Sequence, residues 1–346
     1  MKIALVGFAG SGKTTVFNTM TGLDVPTGFG GELRLGAVRV PDERIDRLSA
    51  IYKPRKTIYA EITFADIPGE HGAERKGLSR RALQQIRDQE ALCLVLRDFP
   101  NPALDTPPDP RAELEAFHTE CVLADLEIVE RKLDRARKEK SNPREIAAFE
   151  LLRTTLEDGR PLRSIPAGDV DRDMLRGYGL LTDRPLLVAL NTTEDRAAQP
   201  LPDDLAQRIA ELDAAGLVLS ASVEAEIAAL PPEDQPAFLE ELGLPEPALN
   251  RFIRTAYALL DLISFFTVGP DEVRAWTIRR GTRARQAAGR IHSDLERGFI
   301  RAEVIPYDVF MQYGSEQAVK DAGRLQLEGK EYTVQDGDIL NIRFKV

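Results

Sequence analysis

The sequence predicts an α/β fold with a mostly parallel sheet, interrupted by a helical insertion and followed by a small mixed α+β domain. Short apolar runs alternate with amphipathic stretches over residues 1–100 and again from about residue 185. Such runs are typical of buried parallel strands with helices on both faces of the sheet. Residues 111–159 carry no strand pattern, and short β-like runs with glycine-containing turns return after residue 263.

Composition and charge narrow the class of protein. The chain has 346 residues, 43% hydrophobic and 29% charged, which is typical of a globular protein of two or three domains. Its net charge of −10 argues against nucleic-acid binding over the whole surface but allows a local basic patch. No apolar run approaches the roughly 20 residues of a membrane span, and the short apolar N-terminus indicates a strand rather than a signal peptide. We therefore predict a cytoplasmic protein without a membrane partner.

The two cysteines carry little functional information. Cys93 and Cys121 form neither a C-x-x-C pair nor a zinc-binding pattern. Cys93 lies in an apolar run, which predicts a buried and unreactive thiol.

Five apolar runs are the strand candidates of the sheet. They cover residues 2–6, 61–65, 91–96, 186–190 and 217–219. Their short lengths and the amphipathic segments between them favour strand–helix–strand units.

A helical hairpin is predicted between the third and fourth of these strands. The Pro- and Asp-rich linker 101–110 precedes it. Apolar residues then recur at coiled-coil spacing along one helix, at Val122, Leu126, Val129, Leu133 and Ala136. Residues 141–143 break the pattern, and a second helix is predicted over 144–157. Because the sheet pattern resumes near residue 185, the hairpin is an insertion.

The pattern changes again after residue 245. A helix is predicted over residues 251–262, and another near 287–295. Short β-like runs lie at 273–278, 298–300, 325–327 and 339–344. This mixture predicts a small α+β domain.

The strongest chemical signal is a G-x-x-x-x-G-K-[ST] sequence between the first strand and a helical pattern. The backbone amides of such a loop wrap phosphate oxygens, and the N-terminus of the helix adds a favourable dipole. We expect Lys13 to neutralise the β and γ phosphates and Thr14 to ligate Mg²⁺. The alternative is a chance glycine-rich turn, which the order strand, loop, helix disfavours. The predicted nucleotide-binding residues of the loop are Gly7, Phe8, Ala9, Gly10, Ser11, Gly12, Lys13, Thr14 and Thr15.

A D-x-x-G sequence follows the second predicted strand, from Asp66 to Gly69. A carboxylate at the end of a strand beside a phosphate loop suits a Mg²⁺-associated aspartate. Gly69 would offer its amide to the γ phosphate. Alone this pattern usually marks a turn, but its place after a phosphate loop favours the metal site.

Two further strand ends are candidates for binding the base. In G proteins the corresponding loops read N-K-x-D and Ser-Ala, and the Asp carboxylate accepts both hydrogen bonds of the guanine edge. Here Glu194 is one methylene longer, and Thr192 lacks the long alkyl stem of lysine. We therefore predict weak guanine selectivity, with ATP or GTP as the nucleotide; ordinary strand-end turns are the alternative. The predicted base-site residues are Asn191, Glu194, Ser220 and Ala221.

These motifs together resemble the Obg-like ATPase (YchF) family over essentially the whole chain. The resemblance is most specific near the C-terminus, in F-T-V-G (266–269), E-V-R-A-W-T (272–277), Q-A-A-G-R-I-H (286–292), G-F-I-R-A-E-V (298–304) and V-Q-D-G-D (334–338). It implies a P-loop G domain, an inserted α-helical coiled coil and a C-terminal TGS domain of β-grasp type. It also implies hydrolysis of ATP, often in preference to GTP, and association with ribosomes.

The chain departs from the family pattern around the phosphates. Gly10-Ser11 stands where the family has Pro-Asn-Val, whose Asn is linked to potassium-assisted hydrolysis in related G proteins. Thr27 is the only threonine of residues 24–35 and the only candidate there for a metal-binding switch threonine.

Three residues are candidates for catalysis, although phosphoryl transfer depends mainly on positioning and charge stabilisation. Lys13 is the first. Glu70 and His71 follow Gly69, where many GTPases keep a water-orienting glutamine. The Glu70 carboxylate could orient water but would also repel the γ phosphate, and a solvated loop is the alternative for both residues.

Two clusters of basic residues are candidate partner surfaces. Seven arginines lie between residues 279 and 301, and a second cluster lies at 131–140 near the hairpin tip. A solvated face is the usual meaning of such clusters, but the family resemblance favours contact with RNA or the ribosome. His292, within the first cluster, is expected to be structural.

The sequence thus predicts a nucleotide-dependent switch that hydrolyses ATP or GTP on ribosomes or RNA. The alternative is an adaptor that senses nucleotide without hydrolysing it. The predicted domains are a P-loop domain (1–104 and 165–262), a coiled-coil insertion (105–164) and a TGS domain (263–346). The oligomeric state is left open.

Overall fold

The computed structural model describes residues 2–26, 32–68 and 80–345. The chain forms two compact units. The first comprises Met1–Val38 and Thr63–Thr255, and the second comprises Arg39–Ile62 and Ala256–Val346.

Strands of the described residues form two sheets. They are β1 (Lys2–Val6), β2 (Arg34–Arg39), β3 (Lys56–Ile58), β4 (Glu61–Asp66), β5 (Ala91–Asp98), β6 (Leu186–Thr192), β7 (Ala215–Leu219), β8 (Leu262–Thr267), β9 (Glu272–Arg279), β10 (Phe299–Pro306), β11 (Gln326–Glu328) and β12 (Asp338–Phe344).

Helices lie between most of these strands. They are α1 (Lys13–Thr21), α2 (Glu43–Tyr52), α3 (Arg80–Arg87), α4 (Pro110–Lys138), α5 (Pro143–Glu157), α6 (Arg172–Leu175), α7 (Asp203–Glu211), α8 (Ala221–Ala229), α9 (Gln235–Glu241), α10 (Ala248–Leu259), α11 (Ala284–Ile291), α12 (Ser293–Arg297), α13 (Tyr307–Tyr313) and α14 (Glu316–Asp321). Short 3-10 turns lie at Leu162–Ser164, Arg176–Tyr178 and Glu194–Arg196.

The first unit contains the predicted parallel sheet, in the order β2-β4-β1-β5-β6-β7. Strands β4, β1, β5, β6 and β7 run parallel to one another. All five predicted strands are confirmed, and β5 and β6 each extend two residues beyond the apolar run. Strand β2 was not predicted, because it alternates exposed and buried positions around Gly36 and has no apolar run. The α/β fold is therefore confirmed.

The helical hairpin is also confirmed, as α4 and α5. Its core includes Val129 and Leu133 of α4 with Phe149 and Leu152 of α5. Each helix starts at a proline that follows a capping side chain: a carboxylate oxygen of Asp109 accepts from Ala112 N at 3.0 Å, and Asn142 accepts from Arg144 N at 3.0 Å.

The second unit has a sheet in the order β11-β10-β12-β8-β9-β3, with β8 and β12 parallel and β8 and β9 antiparallel. Helix α11 packs on one face, where Ala284 and Ala287 join Phe265 and Leu340 in a core. This small mixed domain is the predicted C-terminal α+β domain.

Two predicted helices of this region need correction. The helix placed at 251–262 ends at Leu259, because Asp261 takes a left-handed conformation and Leu262 begins β8. The helix near 287–295 is two helices, α11 and α12. They are separated at His292, whose Nδ1 accepts a hydrogen bond from Asp294 N at 3.1 Å. The expected structural role of His292 is therefore that of a helix cap.

Residues 39–62 lie in the second unit, whereas the sequence-based division assigned them to the P-loop domain. The physical reason is strand pairing, because β3 adds to the edge of β9 in parallel register. The hairpin is grouped with the first unit, so its boundaries at 105–164 stay a prediction.

Among the described residues, no helix combines the length and the apolar character needed to cross a membrane. Cys93 is buried, as predicted, and burial raises the pKa of its thiol.

A buried carboxylate fastens the hairpin to the segment that leads into β6. Asp125 of α4 is fully buried and accepts hydrogen bonds from Leu181 N at 2.9 Å, Thr182 N at 2.7 Å and Thr182 Oγ1 at 2.8 Å. Two backbone donors thus depend on one side chain for their partner.

We expect Asp125→Ala to lower the free energy of unfolding by about 3 kcal/mol, because both amides and the hydroxyl lose their acceptor inside the protein. Urea denaturation measures this loss. Glu127→Ala, on the same helix, is the control: its ion pair with Arg131 is largely exposed, so we expect a change below about 0.5 kcal/mol. Equal stability of the two variants would contradict the assignment of Asp125 as a fastening residue.

Candidate nucleotide-binding site

The candidate site lies at the carboxyl ends of the parallel strands of the first unit. The phosphate loop follows β1, Asp66 ends β4, and Asn191 lies near the end of β6. Strand β1 pairs with β4 on one side and β5 on the other, so the strand order changes direction there. Such a point opens a crevice in which α/β proteins bind ligands.

The phosphate loop requires its glycines. Gly10 and Gly12 have φ angles of 78° and 88°, a left-handed conformation that side chains other than glycine adopt only with strain. A Cβ on Gly10 would come within 2.7 Å of Asn101 Nδ2, and one on Gly12 would overlap the amide nitrogen of Asn191. The loop is thus packed tightly against two neighbouring segments.

Lys13 is the buried cation of this loop. Its side chain is only 6% exposed, and its Nζ donates to the carbonyl oxygen of Phe8 at 3.2 Å. Burial lowers the pKa of Lys13 to about 8, and the nearby carboxylates of Asp66 and Glu113 only partly offset this effect. The site therefore holds an ammonium group that lacks most of its hydration.

Thr14 and Asp66 form the candidate metal pair. Thr14 Oγ1 donates to Asp66 Oδ2 at 3.0 Å, and Asp66 is buried. The other oxygen, Asp66 Oδ1, is buried and accepts no hydrogen bond from a described residue. Burial raises the pKa of Asp66, against the hydrogen bond from Thr14 and the charge of Lys13.

This donor set fits Mg²⁺. A hydroxyl and a carboxylate are the hard oxygen ligands that Mg²⁺ prefers, and the unpartnered Asp66 Oδ1 is available to a cation or its water. No cluster of three His, Cys, Asp or Glu residues that could hold a metal occurs in the described part of the chain. The remaining ligands would come from water and nucleotide phosphates, as is common for Mg²⁺.

Asn191 joins three loops through its buried side chain. Its Nδ2 donates to the carbonyl oxygen of Ser11 at 2.9 Å, and its Oδ1 accepts from Ala221 N at 2.9 Å. The phosphate loop, the end of β6 and the start of α8 are therefore held at fixed separations. In this arrangement the Asn191 carboxamide uses one N–H and one lone pair of its oxygen for protein groups, and the residue also lines the neighbouring cavity.

A cavity of about 350 Å³ opens beside these loops. Glu194 and Ala221 of the predicted base site line it, whereas the Ser220 side chain is buried and lies 3.0 Å from Ser222 Oγ. The volume of this cavity lies within the usual range for small-molecule sites. Its lining residues are Gly12, Thr15, Phe99, Pro100, Asn191, Thr192, Thr193, Glu194, Ala221 and Ser222.

Phe99 and Pro100 are cavity residues that the sequence analysis missed. They directly follow β5, the strand beside β1, so they share the edge of the sheet with the phosphate loop. The signal that could have found them is the R-D-F-P sequence at the end of an apolar strand. An aromatic side chain there offers a flat surface to a ring.

Arg97 and Glu113 connect the site to the hairpin. Arg97 is buried, and its guanidinium donates to the carbonyl oxygens of Phe99, Thr106 and Pro107 at 3.3, 3.0 and 3.0 Å. Its backbone N–H donates to Glu113 Oε2 at 3.0 Å, in the first turn of α4. Burial raises the pKa of Glu113 to about 6.

Four predicted site residues lie outside the described residues: Thr27, Gly69, Glu70 and His71. The described residues bring together Lys13, Thr14 and Asp66, and separately the walls of the cavity around Glu194.

Two family models match the chain. The model described as 50S ribosome-binding GTPase matches residues 2–132. The model of the YchF GTPase C-terminal region, described as a protein of unknown function, matches residues 262–345.

Whole proteins match over nearly their full length. The Ribosome-binding ATPase YchF of Bacillus subtilis (strain 168) is 37% identical over 361 residues, covering 99% of this chain and 98% of that protein. The Ribosome-binding ATPase YchF of Escherichia coli O157:H7 is also 37% identical, with 100% and 99% covered. Obg-like ATPase 1 of Oryza sativa subsp. japonica is 36% identical, with 100% and 92% covered.

A solved structure agrees with the fold. The YchF GTPase of Schizosaccharomyces pombe superposes with a TM-score of 0.89 at 29% sequence identity, covering 99% of this chain and 97% of that one.

Proposed function

Because the chain belongs to the YchF family of Obg-like ATPases, we propose that it is a P-loop nucleoside triphosphatase that works with Mg²⁺ as a nucleotide-dependent switch on ribosomes. The observation that carries this proposal is the group formed by buried Lys13 and the Thr14–Asp66 pair at the end of the parallel strands.

Phosphate binding is the first step that this arrangement supports. Lys13 is buried, and its ammonium donates to a carbonyl oxygen, a weaker partner than a phosphate. A triphosphate in the loop would replace that partner with anionic oxygens, while the amides of residues 7–14 bind the remaining phosphate oxygens. Burial lowers the pKa of Lys13 to about 8, and anionic phosphate oxygens beside its ammonium would stabilise the protonated form.

The metal would be held by the Thr14 hydroxyl and the Asp66 carboxylate. When bound, Mg²⁺ would neutralise charge that develops on the transferring phosphoryl group. The contribution of the protein is to keep both oxygens in place, which the 3.0 Å hydrogen bond between them does.

Hydrolysis then depends on residues around the γ phosphate. Lys13 is the described residue that would stabilise its charge. Glu70 and His71 are the candidates for orienting the attacking water, with Gly69 and Thr27 as the candidate contacts to the γ phosphate and the metal. The rival function, an adaptor that binds nucleotide without cleaving it, would bind ATP and release no phosphate.

Base selection would fall to the cavity around Glu194. The Thr192 hydroxyl donates to Asp98 Oδ2 at 3.0 Å, so it points to the protein instead of covering a base. No lysine stem and no short carboxylate is present at the two positions that read guanine in G proteins. We therefore infer that ATP is bound at least as well as GTP.

Ribosome binding is proposed from the relatives, two of which are named ribosome-binding ATPases. The arginine patch of residues 279–301 is the candidate contact, and a ribosomal partner would place the protein in the cytoplasm. Arg280 pairs with Asp261 at 3.0 Å, and Arg283 pairs with Glu331. These pairs are more than half exposed and therefore weak, so phosphates of RNA can replace the carboxylates. The hairpin cluster is the second candidate contact.

Lys13→Ala tests the phosphate site. We expect ATP affinity to fall by at least about 100-fold, or about 2.7 kcal/mol, because the loop loses its only cation. Thermal stability should not fall, because the removed ammonium is buried without a carboxylate hydrogen bond. Calorimetric titration and phosphate release measure binding and turnover. The control is Lys2→Ala, which removes an exposed lysine on β1 and should bind ATP like the parent. If Lys13→Ala itself keeps the affinity and turnover of the parent, the phosphate site is refuted.

Titration of ATP and GTP with Mg²⁺ tests base selection. We expect a dissociation constant for ATP equal to or below that for GTP. Glu194→Asp, which shortens the carboxylate, should shift the ratio toward GTP. GTP binding ten times tighter than ATP in the parent, about 1.4 kcal/mol, would show that Glu194 still selects guanine.

A four-arginine variant tests the ribosome contact. We expect Arg→Ala at four positions to weaken cosedimentation with ribosomes and to flatten its salt dependence, because each neutralised phosphate releases counterions. ATP hydrolysis by the isolated variant should stay close to that of the parent. The four positions are Arg279, Arg280, Arg283 and Arg285.

The control is a variant of the hairpin cluster with Ala at Arg131, Lys132, Arg135 and Lys140. If the first variant cosediments like the parent at every salt concentration and the hairpin variant does not, the contact belongs to the hairpin.

A further inference from the structure

The end of β5 carries a carboxylate that two residues of the base-site loop share. Thr192 Oγ1 donates to Asp98 Oδ2 at 3.0 Å, and Arg196 Nη1 lies 2.7 Å from the same oxygen. The Asp98 side chain is 11% exposed, so water competes little for these contacts.

These contacts join the two walls of the 350 Å³ cavity. One wall is Phe99-Pro100, which directly follows Asp98. The other wall is Thr192, Thr193 and Glu194. Asp98 and Thr192 are already neighbours in the parallel register of β5 and β6, and their side-chain bond extends this pairing beyond the backbone. The Asp98 side chain therefore adds a second connection between the two walls at the point where the backbone pairing ends.

Arg196 extends the same anchor to Glu194. The two residues are the ends of a single 3-10 turn. Within it, Arg196 N donates to the carbonyl oxygen of Thr193 at 3.2 Å, and Ala197 N donates to that of Glu194 at 3.0 Å. A turn this short has few internal hydrogen bonds, so its orientation depends on what holds its last side chain.

We propose that Asp98 is a positioning residue for the nucleotide base, which it controls by fixing the separation of the cavity walls and the orientation of Glu194. This inference rests on the proposed binding of a purine nucleoside triphosphate. Asp98 does not line the cavity, and it acts through Thr192, Arg196 and the adjacent Phe99.

Two contacts hold the phosphate loop without Asp98. Asn191 binds the loop through Ser11, and Lys13 contacts Phe8; neither of these contacts involves Asp98. Loss of the anchor should therefore weaken binding of the base and leave binding of the phosphates unchanged. A general loss of structure would weaken both together, so the two ligands separate a positioning role from a structural one.

The experiment compares ATP with tripolyphosphate, which has phosphates but no base, each titrated with Mg²⁺ against the full chain. Asp98→Asn keeps the size of the side chain and an acceptor for Thr192 but removes the charge that Arg196 contacts. We expect its dissociation constant for ATP to rise about tenfold, as for loss of one charge-assisted hydrogen bond. The dissociation constant for tripolyphosphate should not change. In turnover, KM for ATP should rise while kcat stays constant.

Arg196→Gln and Thr192→Val remove the two partners separately. Arg196→Gln should raise the dissociation constant for ATP as much as Asp98→Asn does. The double variant Asp98→Asn/Arg196→Gln should bind ATP no more weakly than either single variant, because both substitutions remove the same contact. Asp195→Asn is the matched control, an exposed carboxylate in the same turn that lines no part of the cavity. It should bind ATP like the parent.

Two results would overturn the proposal. One is parent-like ATP affinity of Asp98→Asn, and the other is an equal loss of ATP and tripolyphosphate binding. A parent protein that binds neither ligand would instead refute the proposed function itself, so the two failures are distinguishable.

Discussion

The arrangement of the site depends on one buried carboxamide. Asn191 has a donor and an acceptor that must both be satisfied inside the protein, and it satisfies them with the backbone of two other loops. This requirement fixes the distance between the phosphate loop and the start of α8. It also explains Gly12, since any Cβ there would occupy the space of the Asn191 amide. The glycine of the phosphate loop and the asparagine 180 residues after Ser11 therefore depend on each other for their packing.

The same loops concentrate charge in a buried place. Lys13 has a pKa lowered to about 8 from 10.5, which means that folding disfavours its protonated form. The resulting cost to stability is fully present below pH 8 and disappears as the pH rises through 10.5. The raised pKa values of Asp66 and Glu113 have the same origin. Burial of these charged groups therefore lowers the stability of the fold, and an anionic ligand beside Lys13 would offset part of that cost.

Sequence patterns predicted those parts of the molecule that depend on neighbours along the chain. Strand β1, the phosphate loop and the hairpin were found because apolar spacing and a contiguous motif define them. Strand β3 was missed because it has three residues and forms by pairing with β9, more than 200 residues away. Phe99 and Asp98 were missed for a related reason: their role follows from the adjacency of β5 to β1 and β6, which a linear pattern does not reveal. Asn191 was predicted from its motif, but its hydrogen bonds to Ser11 and Ala221 follow only from the fold.

The link between the nucleotide site and the hairpin can be followed atom by atom. Asn101 Nδ2 donates to the carbonyl oxygen of Gly10 at 3.3 Å, so the linker before α4 contacts the backbone of the phosphate loop. Arg97 binds the same linker at Thr106 and Pro107, and its backbone binds Glu113. The linker that leads into the long helix α4 is therefore bound both to Arg97 and to the phosphate loop. Arg97 holds the linker firmly, because it is buried and its guanidinium donates to three carbonyl oxygens. The covalent continuity of linker and helix therefore connects the hairpin to the phosphate loop through the Asn101–Gly10 hydrogen bond.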